Sequence, residues 1–229
     1  MVLAAGFGTR MRPLTEHTPK PLIKVAGQPI IAYGFDRLRD AGVSKAVVNA
    51  HYLPQQIIDW CGTIAEPETF VSDETDQILD TGGGVKRALP LLGSEPFFVL
   101  NSDSFWTENG RSALQRLRAA WRPDDMDCLL LLCDPSQTTG YDGDGDFELA
   151  IDGRLKRRHR KALAYIGAYL VHPRLFNTAP MGKFSMNILW DKAINEGRLF
   201  GLAHQGHWFH VGTPEAIQEA ELELKRLTE

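Results

Sequence analysis

The chain has 229 residues, 43% of them hydrophobic, and a formal charge of −4. That size and apolar fraction fit one large α/β domain with a continuous core. The acidic balance lacks the basic signature of a nucleic-acid binder, and no apolar run reaches the roughly 20 residues of a membrane span.

In chain order, a strand over residues 1–5 runs straight into glycines, so abruptly that the native chain is expected to begin a few residues earlier. Residues 29–41 read as a helix. Pro29 suits its first turn, Ile31, Phe35 and Leu38 recur at i, i+4 and i+7, and Gly42 suits its stop. A strand over 45–49, a helix over 54–60, a short strand over 69–72 and a helix over 84–91 follow. An apolar strand over 97–100, a helix over 111–121 and a strand over 129–132 complete the first, regular part. Beyond it come a Gly/Asp-rich loop over 140–146, strands over 147–151 and 164–171, and a helix over 186–195. The final helix, over 214–227, has Thr213 as N-cap and Pro214 at its first position. Alternating strands and helices predict a mostly parallel sheet covered by helices.

The three cysteines are Cys61, Cys128 and Cys133. Cys128 and Cys133 bound a buried-strand run, which sets them roughly 16 Å apart on opposite faces, too far to bridge. There is no CxxC pair for zinc, so the cysteines read as small core residues in a reducing compartment. With no signal peptide visible, the expected location is the cytoplasm.

The chemistry concentrates in Leu3-Ala4-Ala5-Gly6-Phe7-Gly8-Thr9-Arg10. Glycines after a strand allow positive φ and close approach to phosphate, so backbone N–H groups can face an anion. Arg10 and Lys20 add fixed positive charge, and Pro19 and Pro21 stiffen the backbone about Lys20. The Gly-Lys-Ser/Thr of a Walker A loop is absent, and Met11 stands where a dinucleotide-binding Gly-x-Gly-x-x-Gly needs its last glycine.

Thr81-Gly82-Gly83-Gly84 precedes an apolar helix. It reads either as bare backbone that a flat base can approach or as a flexible loop feeding the helix. The apolar strand ahead of Asn101-Ser102-Asp103 ends in a carboxylate, at the strand end where ligands of open α/β sheets sit. Asp103 reads as a magnesium ligand beside phosphates or as a turn cap. The basic run Lys156-Arg157-Arg158-His159-Arg160-Lys161 reads as a solvated hairpin tip or as a collector of anionic sugar phosphate or pyrophosphate. Trp106 and Trp208 offer an apolar face to a sugar or pack in the core.

Residues 3–15 followed by Pro19-Lys20-Pro21-Leu22 resemble the signature of the sugar-phosphate nucleotidyltransferases, and most of all their N-acetylmuramate 1-phosphate uridylyltransferase branch in bacterial cell-wall recycling. The resemblance implies a Rossmann-like three-layer sandwich, the nucleotide-diphospho-sugar transferase fold. One domain would span 1–229, with a nucleotide-binding half over about 1–125 and a sugar-phosphate-binding half over about 126–229. It implies that Leu3, Ala4, Ala5, Gly6, Gly8, Thr9, Arg10 and Lys20 hold a nucleoside triphosphate, with Thr81, Gly82 and Gly83 at the base. Arg10, Lys20 and Asp103 would be catalytic, and Asn101, Asp146, Gly167 and Asn187 would meet the sugar phosphate.

The triple glycine resembles the uridylyl branch and favours UTP. Guanylyl transfer from GTP to mannose 1-phosphate or a heptose 1-phosphate, and a non-catalytic nucleotide or sugar-phosphate sensor, are the rival readings. The implied cofactor is Mg²⁺ at Asp103. His210 stands where the family has a second aspartate, so three readings follow: a ligand favouring Mn²⁺ or another divalent ion, a phosphate donor, or a spectator. The expected partners are the two substrates alone, without nucleic acid or membrane, in a monomer or small homo-oligomer.

Overall fold

The computed structural model describes residues 1–228. One seven-stranded sheet runs in the order Leu199–Ala203, Cys128–Cys133, Ala164–Val171, Phe97–Asn101, Val2–Leu3, Lys45–Ala50, Glu68–Asp73. Ala164–Val171 is antiparallel to both its neighbours, and every other pair is parallel. The architecture is the expected mostly parallel, mixed α/β sheet.

Among the described residues six α-helices accompany it: Ile30–Asp40 (α1), Pro54–Gly62 (α2), Asp80–Leu92 (α3), Ala113–Ala120 (α4), Met186–Asn195 (α5) and Pro214–Thr228 (α6). The period of two along a strand divides the core. Leu129, Leu131 and Cys133 pack with α1, α2 and α4, whereas Cys128, Leu130 and Leu132 pack with α3 and α5. A strand buried on both faces has no polar face to show, which is why residues 128–133 are apolar throughout. All three cysteines are free and buried.

A third cluster, with Met11, Ile30, Phe105, Phe209 and Ala220, lies outside the main sheet. In it Phe105 stacks on Tyr33 at 4.2 Å and on Phe209 at 4.7 Å. These contacts hold α6 and a three-stranded sheet, Ser104–Trp106 with Trp208–His210 and Thr138–Thr139, against the N-terminal loop.

Strand order places the functional region. From Val2–Leu3 the chain steps outward through Lys45–Ala50 to Glu68–Asp73, then returns to Phe97–Asn101 on the opposite side of Val2–Leu3. The order reverses between these two central strands. A crevice opens at the carboxyl ends of strands at such a point.

Several elements differ from the sequence expectation. The first strand is only Val2–Leu3, because the Ala4 amide leaves the ladder to bond Asn49 Oδ1 at 2.7 Å. Helix α3 starts at Asp80 and absorbs the three glycines. Leu199–Ala203 and the strands of the small sheet were not anticipated. The turn joining Phe147–Leu149 to Leu155–Arg157 is formed by 150–154, so the basic run is not the hairpin tip; it starts on the returning strand.

Candidate active site

The N-terminal loop is shaped by Gly8. Its φ is +61°, and a Cβ there would meet Lys20 Cβ at 2.9 Å and Thr15 Cγ2 at 3.0 Å. Only glycine satisfies both the left-handed backbone and this approach. Met11 N–H and Thr15 Oγ1 both donate to the Gly8 carbonyl at 2.9 Å, which folds the loop back on itself. Gly6 serves differently: nothing lies within 4 Å of its missing Cβ, so its backbone faces open space.

A cleft of about 440 Å³ follows from this fold, floored by residues 3–6 and walled by Arg10, Lys20, Asn101 and Asp103. Ser102 Oγ donates to the Leu3 carbonyl at 2.5 Å and locks the two central strand ends together. Lys20 Nζ donates to Asp103 Oδ2 at 3.0 Å. Burial alone would raise the Asp103 carboxyl, but the charges of Lys20, His210 and Arg10 outweigh it and hold it below the usual carboxylate range.

The small sheet brings in His210. Its backbone pairs with Ser104, and the next amide, of Val211, donates to the Asp103 carbonyl at 2.9 Å. The imidazole lies against Gly212, where a Cβ would come within 3.0 Å of Nε2. Gly140, at φ +74°, lets the chain pass 2.2 Å from the His210 carbonyl, measured from the Cβ it lacks. Burial lowers the His210 pKa, against the opposing pull of Asp103. Among the described residues no three His, Cys, Asp or Glu side chains gather to hold a metal by themselves.

A second cleft of about 230 Å³ adjoins the first and shares Leu3, Asp80, Thr81 and Asn101 with it. Asp146 and Asn187 line it, as does Arg157. Tyr165 N–H donates to Asp146 Oδ2 at 2.8 Å and fixes that side chain. Ser185 caps α5, accepting from the Asn187 amide at 3.3 Å.

Three expected site residues have other places. Gly82 and Gly83 do not offer open backbone to a base. Their amides donate to the Phe184 carbonyl at 2.9 and 3.1 Å, and Cβ atoms on them would strike Phe184 and Gly182. Thr81 does face both clefts. Gly167 sits at a bulge with φ +83°, its missing Cβ 2.7 Å from Ser104 Oγ and 3.0 Å from Asn101 Cβ, so it admits Asn101 rather than a sugar. Trp106 and Trp208 are both core residues.

Two further residues at the first cleft escaped the sequence reading. Lys183 adds a cation to its wall. Glu74 is fully buried, accepts from Asn49 Nδ2 at 2.8 Å through Oε1, and leaves Oε2 without a hydrogen-bond partner among the described residues. Its burial raises the carboxyl, and the Asn49 bond and the Arg87 and His51 charges offset only part of that. The Ser72-Asp73-Glu74 segment carried no motif, so the signal was only a carboxylate at a parallel strand's end.

A glycine-rich loop, two cations and a strand-end carboxylate thus meet in one cleft at the switch point of a mostly parallel sheet. The chain belongs to the nucleotidyl transferase family, whose model matches residues 1–141. It is 41% identical to the N-acetylmuramate alpha-1-phosphate uridylyltransferase of Caulobacter vibrioides, over 98% of this chain and 96% of that protein. It is 34% identical to the enzyme of the same name from Neisseria meningitidis, over 96% of both. In structure it is similar to an apo UDP-glucose pyrophosphorylase, with a TM-score of 0.77 over 100% of this chain and 98% of the other at 18% identity.

Proposed function

We propose that the chain transfers the uridylyl group of UTP to N-acetylmuramate α-1-phosphate, releasing pyrophosphate. The observation that carries the reaction class is the junction of the two clefts. A cationic, triphosphate-sized cleft meets a smaller hydroxyl-reading one at Leu3, Asp80, Thr81 and Asn101. The substrate pair rests on the likeness to the two uridylyltransferases.

The acceptor's 1-phosphate is ionised near pH 7, its second pKa being about 6, so it needs no general base and no protein nucleophile. Its oxygen forms a bond to the α-phosphorus of UTP as the bond to the bridging oxygen of pyrophosphate breaks. Pyrophosphate carries off the electron pair. The protein's work is to align the two substrates and offset charge. Residues 4–8 supply backbone around the triphosphate, Arg10 and Lys20 stabilise the charge that develops on the reacting phosphates, and Asp146 and Asn187 orient the sugar. Glu74 holds Asn49 Nδ2 through Oε1, and Asn49 Oδ1 holds the Ala4 amide at the floor of the cleft.

The donor set also fits a divalent ion. One Asp103 oxygen is free of Lys20, and magnesium is commonly held by one or two carboxylates together with substrate phosphates and water. His210, whose charge acts on Asp103, would supply a nitrogen ligand suited to Mn²⁺ better than Mg²⁺ if it joined such a site. When bound, such an ion supplies Lewis-acid stabilisation of phosphate charge.

The test is pyrophosphate release with a panel of UTP, GTP, CTP and dTTP against N-acetylmuramate, glucose, mannose and heptose 1-phosphates. Release with UTP and N-acetylmuramate 1-phosphate above all other pairs supports the proposal. A preference for GTP with mannose or heptose 1-phosphate replaces it with the guanylyl reading, and no release with any pair replaces it with a binding protein. The expected compartment for this reaction is the cytoplasm.

A further inference from the structure

We propose that Arg157 selects acceptors carrying a carboxylate on the sugar itself, in addition to the 1-phosphate. The inference deepens the acceptor reading above and rests on it, since N-acetylmuramate is a sugar acid.

Residues 156–161 hold the densest basic run in the chain, and of them Arg157 alone lines either of the two clefts described above. That cleft is the smaller one, away from Arg10, Lys20 and Lys183, which line the first. Arg157 is therefore not required to offset triphosphate charge. The other ionisable groups facing the smaller cleft are Asp80, Asp146 and the phenols of Tyr165 and Tyr169. Asp80 is turned to the Thr81 amide at 2.6 Å, and Asp146 to the Tyr165 amide at 2.8 Å. The smaller cleft has one cation, and an anion on the sugar has one place to bind.

The guanidinium is held in advance of any ligand. Its Nε donates to Asp191 Oδ1 at 2.7 Å, its Nη2 donates to Asn187 Oδ1 at 2.9 Å, and its plane lies over the Phe147 ring at 4.7 Å. These contacts take the Nε/Nη2 edge. The two N–H groups of Nη1 have no hydrogen-bond partner among the described residues. A guanidinium fixed through Nε and Nη2, with the N–H groups of Nη1 free, can donate to a carboxylate at low entropic cost. Asp191 is more than half exposed, which weakens its claim on the positive charge. Asn187, which carries one of the fixing bonds, also lines the cleft, so hydroxyl and carboxylate recognition share a single frame.

The experiment compares kcat/KM for N-acetylmuramate 1-phosphate and N-acetylglucosamine 1-phosphate, which differ by the lactyl acid, in wild type, Arg157→Gln and Asp191→Asn. A hydrogen bond to a charged group predicts that Arg157→Gln lowers the muramate-to-glucosamine selectivity ratio about 10- to 100-fold, mostly through KM. Asp191→Asn removes the strut but keeps the cation, and should hold the ratio within about threefold. If Arg157 only braces α5 against the hairpin, the two variants lose rate alike on both acceptors, and the proposal is overturned. Retention of the ratio by a folded Arg157→Gln, checked by its melting curve, overturns it as well. A wild-type enzyme with no preference for the muramate acceptor is a different result: it removes the acceptor reading itself, and this inference with it.

Discussion

Lys20 Nζ and Asp103 Oδ2 lie 3.0 Å apart, with 11% and 30% of their side-chain surfaces exposed. The pair joins the end of the anion loop to the end of a central strand across 83 residues of sequence. Breaking a mostly buried pair on one side leaves an uncompensated charge, whereas removing both sides does not. Lys20→Met should cost about 1–3 kcal/mol of stability, allowing for Asp103's partial exposure and the remaining Arg10 and His210 charges. The double variant Lys20→Met/Asp103→Asn should lose less than the sum of the single changes. Urea denaturation of the four proteins closes the cycle, and strict additivity would show that the pair is not coupled. Both single variants should lose about 100-fold or more in turnover.

Arg10 is a test of function without structure. Its side chain is exposed at the cleft, and no hydrogen bond or ion pair from it is needed to hold the loop together. Arg10→Ala should therefore unfold within about 0.5 kcal/mol of wild type. Its kcat should drop about 100- to 1,000-fold, the usual cost of a lost donor to transition-state charge. An equal rise in the KM for UTP with kcat intact would assign Arg10 to ground-state binding only.

His204 sets an acid limit on stability. Its Nε2 bonds the Thr107 carbonyl at 3.0 Å, its Nδ1 is buried without a partner, and burial pushes its pKa down from 6.5 to about 4. Above pH 6.5 the ring is neutral folded and unfolded, and costs nothing. Between 6.5 and about 4 only the unfolded chain takes up the proton, so stability falls with pH. Below about 4 both states are protonated and the loss stops growing, at about 3 kcal/mol. His204→Gln should flatten this leg. Urea midpoints for both proteins at pH 7 and pH 4.5 decide it, and parallel losses would mean that His204 does not titrate there.

Gly6 and Gly82 separate two uses of glycine. A Cβ on Gly82 would stand 2.3 Å from the Phe184 ring, whereas one on Gly6 meets nothing within 4 Å. Gly82→Ala should cost about 2–3 kcal/mol through overpacking, partly recovered by adding Phe184→Leu. Gly6→Ala should leave stability within about 0.5 kcal/mol while obstructing the approach of phosphate to the backbone. Paired melting and turnover measurements check this, and the expectation fails if the two variants behave alike.

The sheet was legible because its signals are local. Short, wholly apolar runs and helices with period 3.6 marked most of it, and Gly6, Gly8, Arg10, Lys20 and Asp103 could be singled out from spacing and residue type. What was missed depends on distant pairing. Glu74 becomes a cleft residue only because its neighbour Asn49 reaches the Ala4 amide, 45 positions away. Lys183 reaches the same cleft from the 182–184 segment, which carried no motif. The triple glycine was misplaced for a related reason. Glycine disfavours helix by about 1 kcal/mol per residue, so local propensity pointed to a loop. The close passage of 182–184 across α3 overrode that propensity.

Glu74 is where stability and function should pull apart. Its carboxyl is raised by burial, so the folded state disfavours the ionised form. A raised carboxyl stabilises the fold relatively below its unfolded pKa and costs stability as pH rises through that value toward the folded one. The cost grows as pH rises above the ordinary carboxylate range. Glu74→Gln removes the ionisation and can still accept from Asn49, so the variant should unfold at higher urea than wild type at pH 7, with the gain shrinking in acid. The same change puts a buried amide donor with no acceptor where Oε2 stood, and the cleft wall that Glu74 helps form must shift to satisfy it. The KM for UTP should therefore rise about 10-fold or more, with kcat less affected. A gain in stability with an unchanged KM would make Glu74 a part of the fold alone. A loss of stability would mean that the ionised carboxylate is held by a partner stronger than Asn49.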